Sequence, residues 1–172
     1  TNGCSTIPPQ TYFSIEEPLG MNTAFLSNDV SCFNGNDGSA TINVVGGTAP
    51  YNYSWSPTGE TTQTINNLSA DTFYVSITDN NDCILMGSFI DILQPDSALN
   101  ADFNITHASC YGYNNGALDL VPSGGTAPYL YLWPDIGITT EDLELQHAGS
   151  YDVVVFDANL CVDTFSAVIN EP

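Results

Sequence analysis

The chain has 172 residues, of which 20 are acidic and none is lysine or arginine, so its formal net charge is −20 at pH 7. A surface without cations cannot neutralise phosphate, which excludes nucleic acid and anionic lipid head groups as direct partners. Because 42% of the residues are hydrophobic and 11% are aromatic, the composition predicts a folded chain rather than a disordered one. No apolar run reaches the roughly 18 residues of a membrane span, so we expect no direct insertion into a membrane.

The sequence repeats itself with an offset of 78 residues. "GGTAPY" stands at 46–51 and again at 124–129, and cysteine, tryptophan and aspartate positions align at the same offset. A Glu-Pro or Gln-Pro pair closes each copy. Such self-similarity indicates tandem modules. We therefore expect one repeat at 19–95, a second at 96–172 and, in residues 1–18, the C-terminal part of a truncated preceding repeat.

Each repeat reads as a series of short strands. The first apolar run is Ala24–Leu26, and its counterpart in the second copy is Phe103–Ile105. The next run, Ser39–Val45 ("SATINVV"), alternates apolar and polar residues, which is typical of a half-buried strand. "PYNYSW" and "TFYVSITD" continue the pattern, and a last run precedes each closing proline. Six or seven antiparallel strands separated by Gly, Pro and Asn predict an all-β fold of tandem immunoglobulin-like β-sandwich modules of about 77 residues.

The connections between the strands are also predicted. The glycines of "GGTAPY" can adopt positive φ, and its proline fixes the entry to the next strand, so we interpret the motif as a structural corner. Neighbouring modules are expected to meet end to end across short linkers at Pro18–Met21 and Pro95–Leu99.

The chain contains five cysteines, two in each complete repeat. Small modules often need a covalent staple. The favoured pairing is within each repeat, at one end of the sandwich: Cys32 with Cys83, and Cys110 with Cys161. Cys4 would then pair into the missing preceding repeat. The alternative register links neighbours, with Cys4 bonded to Cys32 and Cys83 to Cys110. Either scheme indicates an oxidising, extracellular setting.

In chain order, each repeat has a cysteine, an Asn/Asp-Gly loop ("GNDGSA", "YNNGAL"), "GGTAPY", a tryptophan and a closing Asp-x-Asn-x-Cys. This ordered pattern resembles the SprB-type repeats of gliding-motility adhesins and related giant cell-surface proteins of Bacteroidota, over essentially the whole chain. The resemblance implies export through the type IX secretion system and display at the outer surface in long adhesive filaments. It also implies that external surfaces or polysaccharides are partners of the whole adhesin, while each module contacts its neighbouring repeats.

Calcium is the cation that the sequence could bind, and no other cofactor is expected. Thr78–Cys83 and Gly35–Gly38 cluster the oxygen ligands that a hard cation prefers. The candidate ligands are Asp37, Asp79 and Asp82. The second repeat lacks two of these carboxylates, which argues against one calcium site shared by every module.

Carbohydrate is the other candidate ligand. Tyr51, Tyr53 and Trp55 could form an aromatic platform, although their alternation favours core packing. Ser97 lies in "DSA" just after a closing proline, which resembles a short O-glycosylation motif used by Bacteroidota, and is the candidate glycosylation site. No spacing of histidine or serine indicates an active site, and we expect no enzymatic activity.

The sequence therefore predicts stalk or spacer modules of a large secreted adhesin that serves gliding motility or surface attachment. Two alternatives remain. The repeats could bind glycan or calcium themselves and adhere through avidity, or they could assemble into a surface fibre. The two copies differ at most outward positions, for example Thr41 and Asp119, and this difference favours the spacer.

Overall fold

The structure is a computed structural model that describes residues 19–172. It contains two modules of six strands each, and all strand pairs are antiparallel. The strands of the first module are β1 (Asn22–Asn28), β2 (Gly38–Val45), β3 (Asn52–Ser56), β4 (Thr64–Leu68), β5 (Asp71–Thr78) and β6 (Ile84–Ile92). Those of the second are β7 (Asn100–Thr106), β8 (Gly116–Ser123), β9 (Leu130–Leu132), β10 (Leu143–Gln146), β11 (Gly149–Phe156) and β12 (Val162–Ile169). Among these described residues no helix could span a membrane.

Each module is a sandwich of two three-stranded sheets. The sheet orders are β1-β2-β4 and β3-β5-β6 in the first module, and β7-β8-β10 and β9-β11-β12 in the second. An immunoglobulin-like sandwich divides its strands in this way, with A, B and E in one sheet and C, F and G in the other. Residues 57–63 take the place of strand D without forming a strand. The predicted fold class, tandem immunoglobulin-like antiparallel β-sandwiches, is confirmed.

The core of each module lies between its two sheets and is built from alternate side chains. In β5, Phe73, Val75 and Ile77 are buried, as the alternation predicts. The tryptophan of the third strand is also buried in both copies, with Trp55 at 2% and Trp133 at 1% exposure. Each module therefore has an apolar core of its own.

Strands β4 and β10 depart from this alternation. Ile65 and Leu68 are both buried although they lie three residues apart, because Asn67 adopts a φ of 56° and the register against β2 shifts there. The equivalent residue in β10, Leu145, has a φ of 58° and is exposed. A strand with such a bulge loses the period of two, so the sequence pattern does not predict it.

The two ends of each sandwich have different roles. We call the end with the β1–β2 loop the upper end, and the end with the β2–β3 and β5–β6 loops the lower end; the second module is named in the same way. Strand β6 runs from the lower end to the upper end, where Val30 N–H donates to the carbonyl of Leu93 at 2.8 Å. Its nine residues span about 30 Å.

This geometry corrects the predicted disulfides. Cys32 lies at the upper end and Cys83 at the lower end of one sandwich, whereas a disulfide needs Cα atoms within about 7 Å. The structure instead bonds Cys32 to Cys161, with Cα atoms 5.7 Å apart. Within residues 19–172, Cys83 and Cys110 are unpaired, so the alternative bond between them is not formed either. Cys4 lies outside the described residues.

Candidate functional site at the junction between repeats

A buried aspartate organises the lower end of each module. Asp79 is 3% exposed, and its Oδ1 accepts hydrogen bonds from the backbone N–H groups of Asn81 and Cys83, both at 2.9 Å. Its Oδ2 accepts a third from Thr48 N–H at 2.9 Å. The hydrogen bond from Cys83, together with the other two, holds the pKa of Asp79 below its usual value. Asp157 accepts the same three bonds, each at 2.9 Å, from Thr126, Asn159 and Cys161.

The repeated "GGTAPY" is the β2–β3 loop that this aspartate holds. In the first copy the Tyr51 hydroxyl donates to the carbonyl of Gly46 at 2.6 Å, and in the second Tyr129 donates to Gly124 at 2.7 Å. All four glycines of the two copies have positive φ. The motif is therefore a structural corner, as its composition predicts.

The same corner holds the linker that enters the module. A backbone hydrogen bond joins the second glycine to this linker in both copies, from Gly47 to Leu19 (2.8 Å) and from Gly125 to Ser97 (3.0 Å). A Cβ on Gly124 would overlap the carbonyl oxygen of Ala98. Glycine alone permits this approach, so the corner sets the direction in which one module follows another.

Replacing Gly124 by alanine should therefore destabilise the second module by more than the cost of placing alanine in a left-handed backbone conformation. Gly137 is a matched control, because both glycines have a φ of 67° and nothing lies within 4 Å of a Cβ on Gly137. We expect Gly137→Ala to cost about 1 kcal/mol for the left-handed backbone and Gly124→Ala at least twice that. Urea unfolding followed by tryptophan fluorescence measures both. Equal losses of unfolding free energy in the two variants would show that the close approach of the linker to Gly124 has no energetic consequence.

The segment that leaves each module is held at the upper end. Besides accepting from Val30, Leu93 donates its N–H to Asp29 Oδ1 at 2.9 Å, and Gln94 Oε1 accepts from Asn34 N–H at 2.9 Å. The second module makes the same contacts with different side chains, from Asn170 N–H to His107 Nδ1 (3.1 Å) and from Gly112 N–H to Glu171 Oε2 (2.7 Å). The Gln or Glu before each closing proline thus fixes the start of the linker.

The disulfide closes the junction between the two modules. It joins the upper end of the first module to the lower end of the second. Beside it, Asn159 Nδ2 donates to the carbonyl of Ser31 at 2.9 Å. Phe33, Ala98 and Val162 line the narrow cleft next to the sulfur atoms. The modules therefore meet end to end through a covalent bond, a hydrogen bond and a linker that is held on both sides.

The structure does not bring the three candidate calcium ligands together. Asp37 lies at the upper end, where its Oδ2 accepts from the Ser31 hydroxyl at 2.5 Å and its Oδ1 from Ser31 N–H at 3.0 Å. Asp79 and Asp82 lie at the lower end, Asp79 is occupied by backbone donors, and Asp82 is an exposed residue with a φ of 61°. Within residues 19–172 no group of three acidic, histidine or cysteine side chains is placed to hold a metal ion.

Asp37 gives a prediction about acid stability. Hydrogen bonds from Ser31, first from its hydroxyl and then from its backbone N–H, lower the pKa of Asp37 below the value near 3.9 of an unfolded chain. The stabilisation from this carboxylate is therefore complete above about pH 4 and is lost as the pH falls toward its folded pKa. The second module offers the neutral equivalent, since Asn115 Oδ1 accepts from Ser109 N–H at 3.1 Å and its Nδ2 donates to the Ser109 hydroxyl at 2.8 Å.

Asp37→Asn should consequently fold and should lose less stability between pH 5 and pH 3 than the parent chain. Urea unfolding at each pH gives this slope. The control is Asp135→Asn, which removes an exposed carboxylate that makes no hydrogen bond within residues 19–172. If both variants keep the slope of the parent, Asp37 is not a source of the acid sensitivity.

The aromatic residues considered as a sugar platform face the core. Trp55 is 2% exposed, and its Nε1 donates to the carbonyl of Thr62 at 2.8 Å. Tyr51 and Tyr53 pack against the same cluster, and burial raises the pKa of Tyr53. Burial and a hydrogen bond to Glu141 raise the pKa of its counterpart Tyr131 to about 12. These rings are not presented for stacking on a sugar.

The remaining predicted site residue lies on the linker. Ser97 is exposed and its carbonyl oxygen accepts from the second module's corner, while its glycosylation stays a prediction. The junction residues were not indicated by the sequence as a set. One signal could have identified part of it: Asp79 recurs as Asp157, whereas Asp82 is replaced by Leu160, as expected when only the first has an essential contact.

Comparison with known proteins agrees with the repeat pattern. The SprB repeat family model matches residues 25–59 and 103–137, which are equivalent segments of the two modules, and the resemblance to SprB-type repeats is thereby confirmed. A search of curated protein sequences found no match. Among solved structures, the chain is similar to the C-terminal 282-residue fragment of intimin, crystallised with the intimin-binding domain of the translocated intimin receptor. The identity is 13% and the TM-score 0.45, over 88% of this chain and 64% of that fragment.

Proposed function

Because both modules contain a segment that matches the SprB repeat, we propose that they are stalk modules of a large secreted cell-surface adhesin. They would extend the adhesin from the outer surface for gliding motility or attachment, after export by the type IX secretion system. The observation that carries this proposal is the junction, because a disulfide, the hydrogen bond from Asn159 and a held linker join the modules end to end. Such a junction fixes the relative position of two modules, as a stalk requires.

The outer surfaces of the two modules support a spacer rather than a binder. On β5 and β6 the rings of Tyr74 and Phe89 lie 6.0 Å apart. The equivalent pair in the second module is polar, with the Ser166 hydroxyl donating to Asp152 at 2.6 Å. A set of modules that bound one ligand by avidity would keep one exposed patch. These two modules do not keep the patch on β5 and β6.

Adhesion of coated beads tests this function. Beads carrying the oxidised full chain at a measured density are presented to glass, polystyrene and a panel of polysaccharides, in calcium and in chelator. We expect capture no greater than for beads coated at equal density with an unrelated acidic protein. Saturable capture that is lost when free chain is added would overturn the stalk proposal, and its loss in chelator would identify a calcium-dependent adhesive module.

A further inference from the structure

Two cysteines occupy the positions of the bonded pair and are unpaired within the part of the chain that the structure describes. Cys110 lies in the second module where Cys32 lies in the first, and Cys83 lies in the first module where Cys161 lies in the second. Both are exposed and unpaired within residues 19–172. The upper end of the second module therefore carries an equivalent of Cys32, and the lower end of the first module carries an equivalent of Cys161.

The surroundings of Cys110 are those of an uncovered junction. Phe33, next to the bonded Cys32, is partly buried against the second module. Its equivalent Tyr111 is 82% exposed. Ser31 and Cys32 are likewise partly buried, whereas Ser109 and Cys110 are exposed. The upper end of the second module thus presents the surface that the first module buries.

The surroundings of Cys83 are already arranged as at the formed junction. Asp79 accepts from Cys83 N–H at 2.9 Å, as Asp157 does from Cys161 N–H. Asn81 Nδ2 donates to the Thr48 hydroxyl at 2.9 Å, and Asn159 Nδ2 makes the same contact with Thr126 at 3.2 Å while it also reaches Ser31. The amide of Asn81 is therefore held on the lower end of the first module by the contact that also holds the amide of Asn159 at the formed junction.

We propose that Cys83 and Cys110 are binding sites for further repeats of this kind, in one fixed register. The first cysteine of each repeat bonds to the second cysteine of the repeat that follows it. Two thiols and one small-molecule disulfide such as oxidised glutathione give the protein disulfide and two reduced thiols, so the reaction balances. This inference goes beyond the stalk function, because the register of the disulfides does not depend on what the joined repeats do.

A chain of four repeats tests the register. The full chain, with Cys4→Ser, is joined directly to a second copy of residues 19–172. The forward chain carries Cys83→Ser in the first copy and Cys110→Ser in the second, which leaves one candidate pair at the central junction. The mirror chain carries Cys110→Ser in the first copy and Cys83→Ser in the second, which leaves the same two thiols at the outer ends. Both are oxidised with glutathione above pH 8, because the Asp79 carboxylate raises the pKa of the Cys83 thiol.

Peptide mapping separates the outcomes. Trypsin has no site in these residues, so an Asp- and Glu-directed protease is used on the monomeric fraction. We expect the forward chain to yield a linked Cys110–Cys83 peptide and no free thiol, and the mirror chain to yield two free thiols. The linked Cys32–Cys161 peptide reports the junction within each copy. Two free thiols in the forward chain, equal linkage in both chains, or absence of the Cys32–Cys161 peptide would each overturn the proposal.

Discussion

Replacing Cys161 by serine is expected to uncouple the unfolding of the two modules. The bond between Cys32 and Cys161 has a sequence separation of 129 residues, and a closed loop of that length restricts the unfolded chain by up to about 5 kcal/mol in the chain-entropy model. Each module has its own core. Without the bond the modules are connected only by the linker and the contacts beside it, so either can unfold alone.

Urea unfolding of the oxidised parent should therefore show one transition, and Cys161→Ser should show two, with the less stable module unfolding at lower urea. Cys83→Ser is the matched control, because it removes the equivalent cysteine, which is exposed and makes no disulfide among residues 19–172. It should leave the unfolding curve unchanged in the oxidised protein. If Cys161→Ser and Cys83→Ser behave alike, the bond between the modules does not couple them.

Asp157→Ala should strongly destabilise the second module. Asp157 is 1% exposed and accepts three backbone hydrogen bonds. A buried N–H left without an acceptor costs about 1–3 kcal/mol. Because these three bonds are partly buried and neighbouring losses are not additive, we expect the free energy of unfolding to fall by about 3 kcal/mol. The loss of the bond from Cys161 N–H should also slow formation of the disulfide, because this acceptor positions the cysteine.

The control for Asp157→Ala is Asp135→Ala, which removes the same charge from an exposed turn. A surface substitution of this kind changes stability by less than about 0.5 kcal/mol, so the pair separates the hydrogen bonds from the net charge. Chemical denaturation measures the stability, and trapping of free thiols during oxidation measures the rate of bond formation. A loss below about 1 kcal/mol would show that water replaces the carboxylate as acceptor.

The fold was predictable because the repeat displays its alternation twice. The inward positions of β2 and β5 follow from a period of two, and the third-strand tryptophan identifies the architecture in each copy. Strands β4 and β10 were not predictable, because the positive φ of Asn67 and of Leu145 removes the period from a segment of only four or five residues.

The disulfide was not predictable from spacing, for a physical reason. The end of the sandwich at which a cysteine lies depends on how many times the chain has crossed the module. Residues 57–63 cross it without forming a strand, so counting predicted strands does not place Cys32 and Cys83 at opposite ends. The candidate calcium ligands Asp37 and Asp79 likewise lie at opposite ends of the module and accept hydrogen bonds from its backbone, so calcium binding by these residues stays a prediction.

The bond between Cys32 and Cys161 also decides how far the chain can lengthen when it is pulled from its two ends. Tension entering through β1 crosses the sulfur atoms and leaves through β12, and the 129-residue stretch between them carries none of it. Extended fully, that stretch would add about 450 Å, and neither module can release it while the bond is intact. Two modules joined in this way act as a tether of nearly constant length, which yields that slack only when a reductant opens the bond.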